Sequence, residues 1–151
     1  MALGEVGKKF MEEHAREDER GVYHVTQKEY TGYMSSQGIS KDILDAKKSA
    51  DQELVNGMYL FGHDQLMNRV NKDIKDGGDG RSQKVEMSVN IPDGSISMSV
   101  NSHRAYPKPN QQGEKVDKVN VTNLQINQQR LLDKAQMKDC ESEMKKKLGL
   151  D

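Results

Sequence analysis

The sequence is poor in the residues that cross-link small folds. Cys140 is the single cysteine among 151 residues, so an internal disulfide and a zinc site built from several thiolates are both excluded. A lone thiol is typical of a reducing compartment, and its neighbours Asp139 and Glu141 disfavour the thiolate that catalysis needs. We therefore expect a cytoplasmic protein in which Cys140 is a partly buried, unreactive thiol.

Apolar residues are scarce as well. They make up 33% of the chain against 31% charged residues, and tryptophan is absent, which is lean for a packed core of this length. The longest apolar run, residues 58–61, is far too short for a membrane span. A formal net charge of −1 gives no general attraction to nucleic acid or to an anionic membrane. We expect one soluble domain with a modest core and projecting elements.

Alternation of apolar and polar residues predicts a β-hairpin over residues 84–100. The pattern continues on both sides of Pro92-Asp93-Gly94, which is a turn sequence. Val119 and Val121 alternate with polar neighbours and predict a third strand near 115–122. The prolines within 107–113 indicate a loop before it, a place where contacts are often made. The predicted fold class is α+β, with an antiparallel sheet of about three strands packed against helices.

Helical periodicity dominates the N-terminal half. Leu3, Val6 and Phe10 recur at helical spacing and predict an amphipathic helix that continues to about residue 20, followed by an extended segment at 22–25. Residues 26–29 have the S/T-x-x-E form of a capping box, which predicts a helix over 27–37 that ends at Gly38.

The longest predicted helix covers residues 41–75, with Ser40 as its N-cap. It would be about 50 Å long and contains Gly57 and Gly62, each costing about 1 kcal/mol relative to alanine. Either the helix breaks near Gly62 or the glycines admit a second backbone; its length favours a break or kink. The predicted organisation is a helical region 1–76, a glycine-rich linker 77–83 and a region 84–151 with the sheet and a long C-terminal helix, all in one domain.

The predicted C-terminal helix, 123–148, carries apolar residues on two opposite sides. Either the helix bends or docks its two halves differently on its own domain, or the first half packs on the sheet and the second half binds another chain. The second hypothesis, together with the proline loop, gives the candidate partner-binding residues Tyr106, Lys108, Met137, Met144 and Leu148.

No motif with a known chemistry accompanies these elements. The glycine-rich segment leaves a helix and enters a strand, which is the reverse of a phosphate-binding loop. The histidines have none of the short spacings of metal ligands; they are His14, His24, His63 and His103. We therefore expect neither an enzyme nor a bound metal or cofactor.

The lean core and the hairpin favour a non-enzymatic interaction protein, a structural subunit of a larger assembly that binds protein subunits of the same or a neighbouring type. A virus particle is one such assembly, in which the chain would be a phage head or decoration protein and would be located in the virion.

The alternative is a small regulatory or nucleic-acid-binding protein that uses the helix pair 27–48 or a C-terminal basic cluster. Its candidate contacts are Lys41, Lys47, Lys48, Lys145, Lys146 and Lys147. A solvated helix C-terminus accounts for the triple lysine equally well.

Overall fold

The computed structural model describes residues 3–37, 43–92, 94–106, 118–127 and 134–149, with the backbone alone for 43–49, 103–106, 118–127, 134 and 137. Within these ranges, four helices and five strands follow one another. They are α1 (Glu5–His14), β1 (Arg16–Glu17), β2 (Val22–Val25), α2 (Gln27–Ser36), α3 (Ile43–Lys75), β3 (Lys84–Ile91), β4 (Gly94–Tyr106), β5 (Lys118–Asn127) and α4 (Lys134–Leu148). The α+β class is confirmed.

The strands form one mixed sheet in the order β1-β2-β3-β4-β5. The predicted hairpin is confirmed as the antiparallel pair β3–β4, and its second strand continues past residue 100 to Tyr106. The prediction of about three antiparallel strands is incomplete, because β2 adds to β3 in parallel and β1 adds to β2. Strands from both sides of residues 77–83 therefore share one sheet. Whether 77–83 behaves as a linker stays a prediction.

Strand β5 is longer than predicted and contains an irregularity. Asn101 pairs with Asn123 and Ser102 pairs with Val121, so Thr122 has no residue opposite it. Such an extra residue is a β-bulge, and it moves the side-chain alternation by one position. Because of this shift, Val121 and Leu124 both fall at register positions on the same face of the sheet. The prediction that a helix begins at 123 is wrong: the strand continues to Asn127, and α4 begins at Lys134.

One face of the sheet carries the core. The inward residues of β3 and β4 are buried; they are Val85, Met87, Val89, Ile91, Ile96, Met98 and Val100. Helix α3 lies across this face, and Gly62 permits the close approach, since a Cβ there would lie 2.5 Å from Val100 Cγ2 and 2.6 Å from Met87 Cε. Packing of helices over an apolar sheet face is the expected solution for this class.

Helix α3 is continuous from Ile43 to Lys75, so the predicted break near Gly62 is wrong. The alternative prediction, close approach of another backbone, is confirmed at Gly57, which packs directly on Gly7 of α1. The Glu53 carboxylate also accepts hydrogen bonds from the backbone N–H groups of Gly4 (2.8 Å) and Gly7 (3.0 Å). These bonds satisfy donors that the first turn of α1 leaves unpaired.

The N-terminal helix is shorter than predicted, because α1 ends at His14 and the next residues form the β1–β2 hairpin. Asp18 holds its turn: the carboxylate accepts from the N–H groups of Arg20 (2.9 Å) and Val22 (3.0 Å). Helix α2 and its capping box, formed between Thr26 and Glu29, are confirmed. The predicted caps at residues 38 and 40 lie outside the described residues.

Candidate functional site

The face of the sheet opposite the core differs in composition from the rest of the chain. Its eight residues on the two central strands alternate with the buried ones, and none of them is buried; they are Lys84, Glu86, Ser88, Asn90, Ser95, Ser97, Ser99 and Asn101. Six of the eight are serine or asparagine. The charged pair at one end, Lys84 and Glu86, forms an ion pair at 2.9 Å and is thereby neutralised.

The uncharged composition continues at the register positions of β5. Asn127, Gln125 and Asn123 stand in register with Ser97, Ser99 and Asn101 respectively. We name these three residues, together with the six serines and asparagines of β3 and β4, the serine–asparagine face. A chain with 31% charged residues has ample charge for a solvated surface. The absence of charge from nine neighbouring register positions is shared with the centres of protein contact surfaces, which are depleted in charged residues, although they are generally depleted in serine as well. Serine and asparagine also supply adaptable hydrogen bonding.

Strand β5 bounds this face. Within the described part of the chain, no strand pairs with its outer side. Ten residues of backbone, with one charged residue at Lys118, therefore form the rim of the sheet there. An open strand edge is a template for pairing with another strand.

Of the candidate partner-binding residues, the two with described side chains lie away from this surface. Met144 is fully buried in the core and Leu148 is half-buried against it, so both have contacts within their own chain. Docking of α4 on its own domain thus accounts for these two residues. Tyr106 ends β4 and Met137 lies in α4, but their side chains are outside the described set, as is the whole of Lys108. Their partner role stays a prediction.

The C-terminal basic cluster is partly engaged in the fold. Lys145 pairs with Glu141 at 2.8 Å, and Lys147 donates to the backbone oxygen of Leu3 and to the Glu5 carboxylate, each at 2.7 Å. The Lys147 contacts join α4 to the start of α1, whereas the Lys145–Glu141 pair lies within α4. Lys146 is exposed. Lys41 lies outside the described residues, and the side chains of Lys47 and Lys48 are not described, so the nucleic-acid hypothesis stays a prediction.

Two clefts are lined by helices, and the first has a structural explanation. A polar cleft of about 480 Å³ lies around Arg69, which donates to the backbone oxygens of Lys84 (2.6 Å) and Gly21 (2.8 Å) and to Glu17 (3.1 Å). Arg69 thereby ties the β1–β2 hairpin to α3. A groove of about 570 Å³ between α1 and α2 has an apolar floor that includes Phe10 and Tyr33, whose rings are 4.8 Å apart.

The titratable groups form local pairs. Arg16 donates hydrogen bonds from two guanidinium nitrogens to the Glu29 carboxylate, and His14 contacts the same carboxylate at 2.8 Å. These contacts, Arg16 above all, hold the pKa of Glu29 far below its usual range. His24 contacts Asp18 at 2.7 Å. Among the residues with described side chains, no three of the types His, Cys, Asp and Glu gather as a metal site. Across the described ranges, no helix combines the length and apolar composition needed to cross a bilayer.

No protein-family model matches the sequence, and no curated protein and no solved structure is significantly similar to it. The functional reading therefore depends on the surfaces described above. Sequence reasoning missed the serine–asparagine face, although the signal was present: the outward positions of the predicted hairpin are serines and asparagines where a solvated strand in this chain would carry lysine or glutamate.

Proposed function

We propose that this protein is a non-enzymatic structural subunit, which associates with protein subunits of its own or a neighbouring type through the serine–asparagine face and the adjoining strand edge. The observation that supports the proposal is the depletion of charge across nine neighbouring positions of one sheet face. The cytoplasm and the virus particle stay proposals for its location. The nucleic-acid alternative has no observation that favours it over this one.

The proposal is tested by the mass of the purified chain over a concentration series, measured by light scattering after size-exclusion chromatography. The subunit model expects species heavier than 17.1 kDa. Replacing Ser97 and Ser99 together by arginine should weaken association, because two charges would have to be desolvated at the contact. Asn68→Arg, at an exposed position of α3, is the matched control and should associate like the wild type.

A partner other than a second copy is tested in the producing cells. A photo-crosslinking residue at Ser99 should give a discrete product with a protein, whereas the same residue at Asn68 should not. A chain that is monomeric at every concentration and gives no product from Ser99 would overturn the proposal.

A further inference from the structure

The sequence of strand β5 is nearly symmetric about its centre, and this symmetry indicates a partner for the strand's open edge. Within its sequence, KVNVTNLQIN, residues 119–126 read like with like when the strand is laid antiparallel on itself, whereas the end pair, Lys118 with Asn127, does not. Across a two-fold axis between residues 122 and 123, valine meets isoleucine or leucine, and asparagine meets glutamine. The pairs are Val119 with Ile126, Asn120 with Gln125, Val121 with Leu124 and Thr122 with Asn123. A two-fold interface requires such self-complementarity.

The bulge makes this pairing selective. A partner strand with unbroken alternation that matches Val119 and Val121 would be out of phase at Leu124 and Ile126, because Thr122 is an extra residue in the pattern. A second β5 carries the same phase break at the same place. The two phase breaks then face one another across the axis. The alternation of the two strands therefore stays matched on both sides of the axis without a further bulge in either strand.

The register also keeps the two faces of the sheet consistent. Directly opposed residues of an antiparallel pair lie on the same face. Leu124 and Ile126 pair with the buried Val100 and Met98, so they occupy register positions on the covered face. Pairing Leu124 with Val121 of a second copy places covered-face positions of both chains together, and the serine–asparagine face becomes continuous across the two copies.

We propose that two copies of this chain pair antiparallel through β5, about an axis between Thr122 and Asn123, and form one continuous ten-stranded sheet. The inference rests on the proposed function, since it names the first partner of that surface. A ten-residue edge spans roughly 33 Å, which is long enough to fix a register.

The register predicts a pattern of distances between equivalent residues of the two copies. Spin labels are placed on single cysteines in a Cys140→Ser background, and the separations are measured by double electron–electron resonance. Each strand rises about 3.4 Å per residue, so the backbone separation is shortest, and equal, at residues 122 and 123. It reaches about 18 Å at both Asn120 and Gln125 and about 31 Å at Asn127. Equal values at 120 and 125 identify the axis, whereas any other pattern in an associated chain overturns this pairing and leaves the subunit proposal standing.

A pair of variants tests the edge. Asn123→Lys places a charge at the axis, where strand edges are protected by lysine, and should weaken dimerisation at least about tenfold, because the charge would be desolvated. Asn68→Lys is the matched control, because Asn68 is an exposed asparagine of α3, on the side of the sheet opposite the serine–asparagine face. It should leave the dimer intact. A dimer that is as tight in Asn123→Lys as in Asn68→Lys, or a wild type that stays at 17.1 kDa at all concentrations, overturns the edge pairing.

Discussion

Gly7 of α1 and Gly57 of α3 bring the backbones of two helices into direct contact. A Cβ on Gly7 would lie 3.1 Å from the Gly57 Cα, and a Cβ on Gly57 would collide with the backbone of Gly7 and Lys8. Backbone cannot rotate away as a side chain can, so neither position tolerates a methyl group without moving a helix. The contact also explains why a long helix contains a residue that weakens it.

We expect Gly57→Ala to lower the free energy of unfolding by about 1–3 kcal/mol, the usual cost of overpacking a core. The control is Gly32→Ala in α2, where a Cβ would meet no atom within 4 Å. There alanine should raise stability by up to about 1 kcal/mol, because it is the better helix former. Urea unfolding followed by circular dichroism measures both. Equal effects of the two substitutions would contradict the packing described here.

Two buried tyrosines on the core helices should respond oppositely to loss of the hydroxyl. The Tyr59 hydroxyl is buried, with no hydrogen-bond partner among the described residues, whereas the Tyr30 hydroxyl donates to the buried Asp51 at 2.8 Å. Tyr59→Phe should be neutral or stabilising by about 1 kcal/mol, since it removes an unsatisfied polar group. Tyr30→Phe should destabilise by about 1–3 kcal/mol because the buried Asp51 carboxylate loses one hydrogen bond. Thermal unfolding of both variants tests this; a destabilised Tyr59→Phe protein would show that its hydroxyl has a partner.

Acid should weaken the β1–β2 hairpin through Asp18. The backbone N–H of Val22 and the His24 ring lower the pKa of this carboxyl to about 2, from an ordinary 3.8. Folding therefore favours the ionised form, so its stabilising effect is complete above about pH 4 and disappears as the pH falls towards 2. Melting temperatures of the wild type and Asp18→Asn should differ at pH 5 and converge near pH 2. A constant difference over that range would contradict the linkage.

The thiol of Cys140 should be unreactive in the folded chain. Burial raises its pKa to about 11, with a further contribution from Glu143 and Asp139, although Gln52 acts in the opposite direction. The thiolate fraction at pH 8 is then about a hundredfold below that of an exposed cysteine. Iodoacetamide labelling followed by mass spectrometry should accelerate by at least that factor when urea unfolds the chain. Comparable rates in native and unfolded protein would be inconsistent with the buried thiol.

The elements that were predictable from sequence are those whose signal is local. The capping box at Thr26 and Glu29 fixes the start of α2 from four residues, and alternation around Gly94 fixes β3 and β4. The two interior glycines of α3 were ambiguous, because a glycine that breaks a helix and a glycine that admits a neighbour look alike in one sequence. The close approach of Gly7, fifty positions away along the chain, decides between them.

The end of β5 was mispredicted for a physical reason. Alternation changes phase at Thr122, and a change of phase in a sequence resembles the end of a strand. In the fold, a β-bulge absorbs this change of phase and the strand continues. The bulge forms only because β5 pairs with β4, so the sequence of β5 alone does not reveal it. Likewise, Met144 was assigned to a partner surface because α4 has two apolar sides, and only the packed position of α4 shows that its own core covers this residue.

The parallel pairing of β2 with β3 has a consequence for how the chain is made. On the ribosome β2 emerges first, and its neighbour in the sheet follows only after the whole of α2 and α3 has been synthesised. Parallel, non-local pairing of this kind forms late and slowly. A nascent polypeptide halted within α3 would hold the short β1–β2 hairpin without β3, the strand that joins it to the sheet, and chaperones would have to shield it until translation resumes.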